Sequence, residues 1–198
     1  MSIEILTALA IFALVSSITP GPNNIMLMNS GANFGFKRTI PHALGVSIGF
    51  TAMVALVGIG IMQLFDAWPL SYQILKVLSV VYLLYLASKI AMSDAAAKSA
   101  KSKSKPFTFI QAAMFQWVNP KAWTMALTAI SVYAPSKSLS AVLFVAITFG
   151  LVNLPCISGW VALGEKMQIF LNNKQRLKIF NIVMASLLVL SLYPVLLN

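Results

Sequence analysis

Six apolar stretches, separated by short polar segments, run along the chain near residues 3–28, 40–64, 70–92, 107–133, 139–163 and 177–197. A helix of roughly 20 residues covers the ~30 Å hydrocarbon core of a bilayer, so each stretch is long enough to cross one. The pattern predicts an all-α polytopic membrane protein of six transmembrane helices.

Two stretches are interrupted. In the first, Thr19-Pro20-Gly21-Pro22-Asn23-Asn24 carries two prolines around a glycine. Each proline removes a backbone donor and clashes with the preceding turn. A helix from Ile3 should therefore stop near Thr19, and another should start near Pro22, where proline suits a first turn. In hydrocarbon, broken backbone persists where it is buried in protein or lines a polar cavity. The fourth stretch holds a second break, Asn119-Pro120-Lys121, with Gln116 three residues earlier. The second stretch has Thr39 as N-cap and Pro41 in its first turn.

The breaks also mark an internal repeat. Pro20 and Pro120 are 100 residues apart, and Leu75-Lys76-Val77 is echoed 102 residues on by Leu177-Lys178-Ile179. Each half then holds three spans, an odd number, so the halves are inverted relative to one another. Interrupted helices at equivalent places in inverted halves point to a transport site near the midplane. The chain reads as one transporter domain, 1–198, with repeat 1 at about 1–92, a loop at 93–105 and repeat 2 at about 106–198.

Composition supports the membrane reading: 59% of residues are hydrophobic and 9% charged, against about 25% charged in soluble domains. The N-terminus lacks the basic start of a signal peptide and reads as a retained first span. A lone cysteine, Cys156, excludes an internal disulfide. The net charge of +10 follows from the loops. Lys37, Arg38, Lys89, Lys98, Lys101, Lys103, Lys105, Lys166, Lys174, Arg176 and Lys178 fall on one side, and Lys76 and Lys137 on the other. The positive-inside rule makes the eleven-charge side cytoplasmic and both termini periplasmic. These loops lack the folded basic face with interleaved aromatics that nucleic acid requires. They can touch anionic lipid.

Candidate chemistry concentrates at the breaks. Asn23 and Asn24 sit beside freed amides at a helix N-terminus, which suits a carboxylate; a bare proline kink is the plain alternative. Lys121, inside a span, should face a cavity and meet a partner; a later helix start would instead let it snorkel to the interface. His42 reads as an interfacial histidine, Lys76 as a lysine that snorkels outward, Tyr82 and Tyr85 as packing groups, and Asn153 with Pro155 as a minor, cavity-facing break. The four acids, Glu4, Asp66, Asp94 and Glu165, all lie at span ends or in loops. That leaves no mid-membrane carboxylate for a metal or a conventional proton relay, and no metal or cofactor is expected.

At these residues the chain resembles the LysE-type (LysE/RhtB) amino-acid exporters. The likeness rests on the Pro-Gly-Pro-Asn break, Gly35-Phe36-Lys37-Arg38, and Gly45 with Gly49. It continues in Leu75-Lys76, Tyr82-Leu83, Leu86 and Lys89, in the run from Gln116 to Lys121, and in Trp160, Gly164 and Asn181. Pro-Gly-Pro-Asn-Asn and Phe-Gln-Trp-Val-Asn are most similar to the cysteine/O-acetylserine branch. The resemblance implies proton-driven export of small amino acids from the bacterial cytoplasm across the inner membrane. Lysine-exporting members place an acid after the Gly-rich start of the second span. Here Gly45-Val46-Ser47-Ile48-Gly49-Phe50 has none, which favours a neutral substrate.

The expected binding residues are Thr19, Pro20, Gly21, Pro22, Asn23 and Asn24 from one half, and Gln116, Asn119, Pro120 and Lys121 from the other. Lys121 is also the candidate for the coupling proton. Expected partners are a small amino acid, protons and membrane lipid, not nucleic acid; a homo-oligomer is compatible with the sequence. An intramembrane enzyme would need a nucleophile with a base at membrane depth. A scaffold or lipid-binding protein would have no use for two equivalent breaks.

Overall fold

The computed structural model describes residues 3–61, 67–68, 70–92, 105–134, 138–171 and 173–193. Among them every regular element is helical: α1 (Ile3–Ile18), α2 (Pro22–Phe34), α3 (Phe36–Leu56), α4 (Leu70–Ala91), α5 (Phe109–Phe115), α6 (Pro120–Tyr133), α7 (Leu139–Met167) and α8 (Lys174–Leu190). A wide turn at Val57–Ile61 continues α3, and a tight 3₁₀ turn at Gln116–Val118 follows α5. The loop lysines Lys98, Lys101, Lys103 and Lys137, and the acids Asp66 and Asp94, lie outside the described residues.

Three segments, Phe36–Ile61, Gln73–Ala91 and Leu139–Met167, are long and apolar enough to cross a membrane. The count rises to four if α1 and α2, bent by 55° at their break, form one span. Helices α5, α6 and α8 have 7, 14 and 17 residues, each shorter than a full span. Large apolar side chains such as Leu151, Ile110 and Val77 are exposed on the outside, a surface suited to lipid and not to water.

Helix ends follow local chemistry with some tertiary help. Thr108 and Gln111 form a reciprocal capping box at α5, and the side chains of Ser138 and Asn173 cap α7 and α8. The first break differs from expectation in extent: α2 runs on to Phe34, because nothing stops it before Gly35. Gly35 has φ +82°, a left-handed conformation that favours glycine, so α3 begins at Phe36. Thr39, expected as the cap, lies one turn inside, with its hydroxyl 2.8 Å from the Gly35 carbonyl and 3.0 Å from the Ser30 hydroxyl. The cap comes instead from α7, where Glu165 Oε1 accepts the Phe36 N–H at 2.8 Å.

The packing separates into a large body and a side pair. Helix α7 is central and packs against α1, α2 and α3, while α3 also packs on α5. Phe50 and Phe149 meet edge to face in this core. Helix α4 packs chiefly on α8, and the pair reaches the rest through α2 and the 3₁₀ turn.

The α2–α7 contact is backbone to backbone. A β-carbon on Gly31 would lie 2.2 Å from the Val161 carbonyl oxygen, and one on Gly164 would lie 2.0 Å from that of Met28. Gly164→Ala is therefore expected to cost about 1–3 kcal/mol through overpacking. Gly159, whose added carbon meets nothing within 4 Å, is the control. Thermal unfolding of the detergent-purified protein should show a lower Tm for Gly164→Ala and an equal or higher one for Gly159→Ala.

Candidate functional site

The two breaks meet. Where α1 ends, its last carbonyls have no next turn to accept from. Asn24 Nδ2 donates to the Ser17 carbonyl at 2.8 Å and to that of Thr19 at 2.9 Å. Lys121 Nζ, from the second break, donates to the Thr19 carbonyl at 2.6 Å and lies 3.4 Å from that of Pro20. The lysine thus caps the C-terminal end of α1, where the helix dipole favours a cation.

Gly21 makes the approach possible. Its backbone is fully extended (φ −174°, ψ 177°), a conformation open to any residue, so the glycine is needed for space. A β-carbon there would sit 2.6 Å from Lys121 Cδ and 3.2 Å from Nζ.

A second link joins the breaks through paired amides. Asn23 Nδ2 donates to Gln116 Oε1 at 2.8 Å, and Gln116 Nε2 donates back to Asn23 Oδ1 at 3.2 Å and to the Ala112 carbonyl at 2.8 Å. Gln116 is fully buried. Asn119 caps α6, its Oδ1 accepting the Lys121 N–H at 3.2 Å. Pro20 precedes the linker glycine, while Pro22 and Pro120 open α2 and α6. The first-turn amides of α2, at Asn23 and Asn24, face the break without intrahelical partners.

A small cavity opens between these groups. Of the expected site residues, Gly21, Asn23, Asn24, Asn119 and Lys121 line it, while Thr19, Pro20, Pro22, Gln116 and Pro120 do not. Its free space of about 20 Å³ holds a water molecule but not an amino acid. The site is contracted, with its lysine satisfied by the protein's own carbonyls.

Ser17, Phe50, Asn153 and Ile157 also line the cavity. Ser17 carries a buried hydroxyl with no hydrogen-bond partner among the described residues. The signal for Asn153 was an asparagine two residues before a proline; Ser17 and Phe50 carried none, because tertiary packing brings them in. Tyr82 and Tyr85 do not line the cavity; their rings lie 6.1 Å apart on α4, as does Lys76 on the same helix. His42 is buried within the protein: it is 2% exposed, its ring centroid is 5.3 Å from that of Phe107, and neither ring nitrogen is bonded among the described residues.

Comparison with known proteins gives one family, LysE type translocator, whose model matches residues 14–192. The cysteine/O-acetylserine efflux protein of Salmonella typhimurium (strain LT2) is 30% identical over 191 residues, 96% of each chain. Its namesake in Escherichia coli (strain K12) is 29% identical over the same share. No solved structure matches.

The paired amides should behave as a unit. Asn23→Ala leaves the buried Gln116, and Gln116→Ala the half-buried Asn23, without this partner, so the double variant should lose less stability than the two single losses added together. A coupling of about 0.6–2 kcal/mol is expected from a double-mutant cycle read by thermal unfolding. Strict additivity would mean that the pair does not form.

Proposed function

We propose that this chain, which belongs to the LysE type translocator family, exports small neutral amino acids from the bacterial cytoplasm across the inner membrane. The substrates would be of the cysteine, O-acetylserine, homoserine or threonine type, and the driving force the proton gradient. On this reading 1–198 is one transporter domain of six spans in two inverted halves, and both termini are periplasmic. The names of its relatives support the efflux assignment.

The observation that carries the proposal is the contact of Lys121 Nζ with the carbonyls freed at the first break. It suggests an exchange. An amino acid bears an ammonium and a carboxylate a few ångströms apart. Entering the site, its ammonium takes over the Thr19 and Pro20 carbonyls, and its carboxylate takes the released Lys121, aided by the α2 amides. Asn23, Asn24, Gln116 and Asn119 hold the surrounding backbone in place. The absence of an acid in the second span leaves no counter-charge for a dibasic side chain. Coupling follows if Lys121 carries a proton in one state and gives it up in the other.

Inside-out vesicles test this directly. With an acid lumen the wild type should accumulate O-acetyl-L-serine above the level reached without a gradient. A failure to accumulate any of the four substrate types would overturn the proposal. Lys121→Arg keeps the charge but does not readily deprotonate, so it should retain binding and lose the gradient-driven component. Lys121→Ala should weaken binding and damage the gradient-driven component. Unchanged gradient-driven uptake by the arginine variant would remove Lys121 as the proton carrier.

A further inference from the structure

We propose that substrate reaches the site from the cytoplasm along the seam between α2 and α8, over a polar station made by Asn29, Asn33 and Asn181. This deepens the export reading above and rests on it.

Helix α2 has two unlike faces. Toward α7 the backbones touch at Gly31 and Gly164, and Leu27 and Val161 are 0% and 1% exposed. Two clasps lock the end of that face: Glu165 Oε1 accepts the Phe36 N–H, and Gln168 Nε2 donates to the Gly31 carbonyl at 3.1 Å. Wetting this seam would expose tightly packed apolar surface, at about 25 cal/mol per Å².

Toward α8 the contact is slighter; Ile25, Met26 and Ala32 share an apolar cluster with Leu177, Phe180 and Met184, and amides fasten the rest. Asn29 Nδ2 donates to Asn181 Oδ1 at 2.8 Å; Asn33 Nδ2 donates to the same oxygen at 3.2 Å and to the Asn29 carbonyl at 2.8 Å. The Asn33 Oδ1 atom is buried and accepts no bond among the described residues. Water or a polar solute replaces such bonds at little net cost, so this is the seam that parts. Helix α8 can swing with α4, because those two pack chiefly on each other.

The position and chemistry fit a route to the site. Asn181 lies seven residues into α8, about 10 Å from its cytoplasmic end, and Asn29 lies about 9 Å along α2 from Asn23. The exposed Lys37, Arg38, Lys174 and Arg176 at the mouth attract a carboxylate. Inside, neutral amides offer an acceptor to the ammonium and donors to the carboxylate. They carry no fixed charge that would hold a zwitterion back.

The test uses the full chain in inside-out vesicles, with Cys156→Ser as background. Single cysteines replace Asn29 or Asn181 on one seam and Leu27 or Val161 on the other, all four positions being buried in this structure. A membrane-impermeant maleimide is added from the cytoplasmic face. Positions 29 and 181 should label about tenfold faster or more than 27 and 161, because the polar seam opens more readily, and O-acetyl-L-serine should slow them. Equal or faster labelling at 27 and 161, no labelling at 29 and 181, or rates indifferent to substrate would overturn the path. Asn29→Cys leaves the Asn33–Asn181 bond in place and reads the seam independently of how Asn181→Cys folds. Labelling is scored separately from uptake: a chain that exports nothing fails the functional proposal, whereas an active exporter closed at 29 and 181 fails this one alone.

Discussion

A helix that stops within hydrocarbon leaves carbonyls and amides that lipid cannot satisfy, and each one buried without a partner costs about 1–3 kcal/mol. The organisation of this chain follows from how that demand is met at the first break. The carbonyls of Ser17 and Thr19 go to Asn24, and those of Thr19 and Pro20 go to Lys121. Because the lysine comes from the second break, the two interruptions must lie side by side. The Asn23–Gln116 pair holds them there, and Gly21 leaves room for the lysine stem.

A site built this way holds its charged group without an acid. The Lys121 ammonium rests on backbone oxygens; in the proposed exchange a substrate ammonium would use the same oxygens, so that no bare charge enters the membrane. In that proposal the zwitterion would replace the lysine contact that now borders the small cavity. The surrounding helices divide the mechanical work. The glycine contact joins α2 and α7 on one flank of the site; on the proposed path the asparagine contact between α2 and α8 is the one that would part.

Much of this was legible in the sequence, for identifiable reasons. Proline removes a backbone donor, so Pro20, Pro22 and Pro120 showed where helices stop and restart, although α3 and α7 run on through Pro41 and Pro155. Lys121 as a charge facing a cavity followed from the cost of polar groups in lipid; the capping role of Asn119 came only with the fold. The end of α2 was misjudged, because the stop depends on the backbone of Gly35 and on a cap supplied by Glu165, 129 residues away. The burial of His42 was hidden too, because position along a helix does not reveal what packs over it; here Phe107 does. The partner of Lys121 was also hidden. A carboxylate binder was legible, but a lysine resting on carbonyls 102 residues distant requires the fold. Asn29 and Asn33 lie four residues apart on one helical face, a pattern that marks a polar stripe without naming Asn181 opposite.

The central claim is that a substrate carboxylate takes Lys121 away from the Thr19 carbonyl. A binding cycle tests it most directly, with O-acetyl-L-serine and its carboxamide titrated against the purified wild type and Lys121→Met. The account predicts that converting the carboxylate to an amide weakens binding to the wild type at least about tenfold, roughly one charge-assisted hydrogen bond. It predicts little or no further loss in Lys121→Met, because the group that reads the carboxylate is already gone. An equal loss in both proteins would contradict the account and place the carboxylate elsewhere.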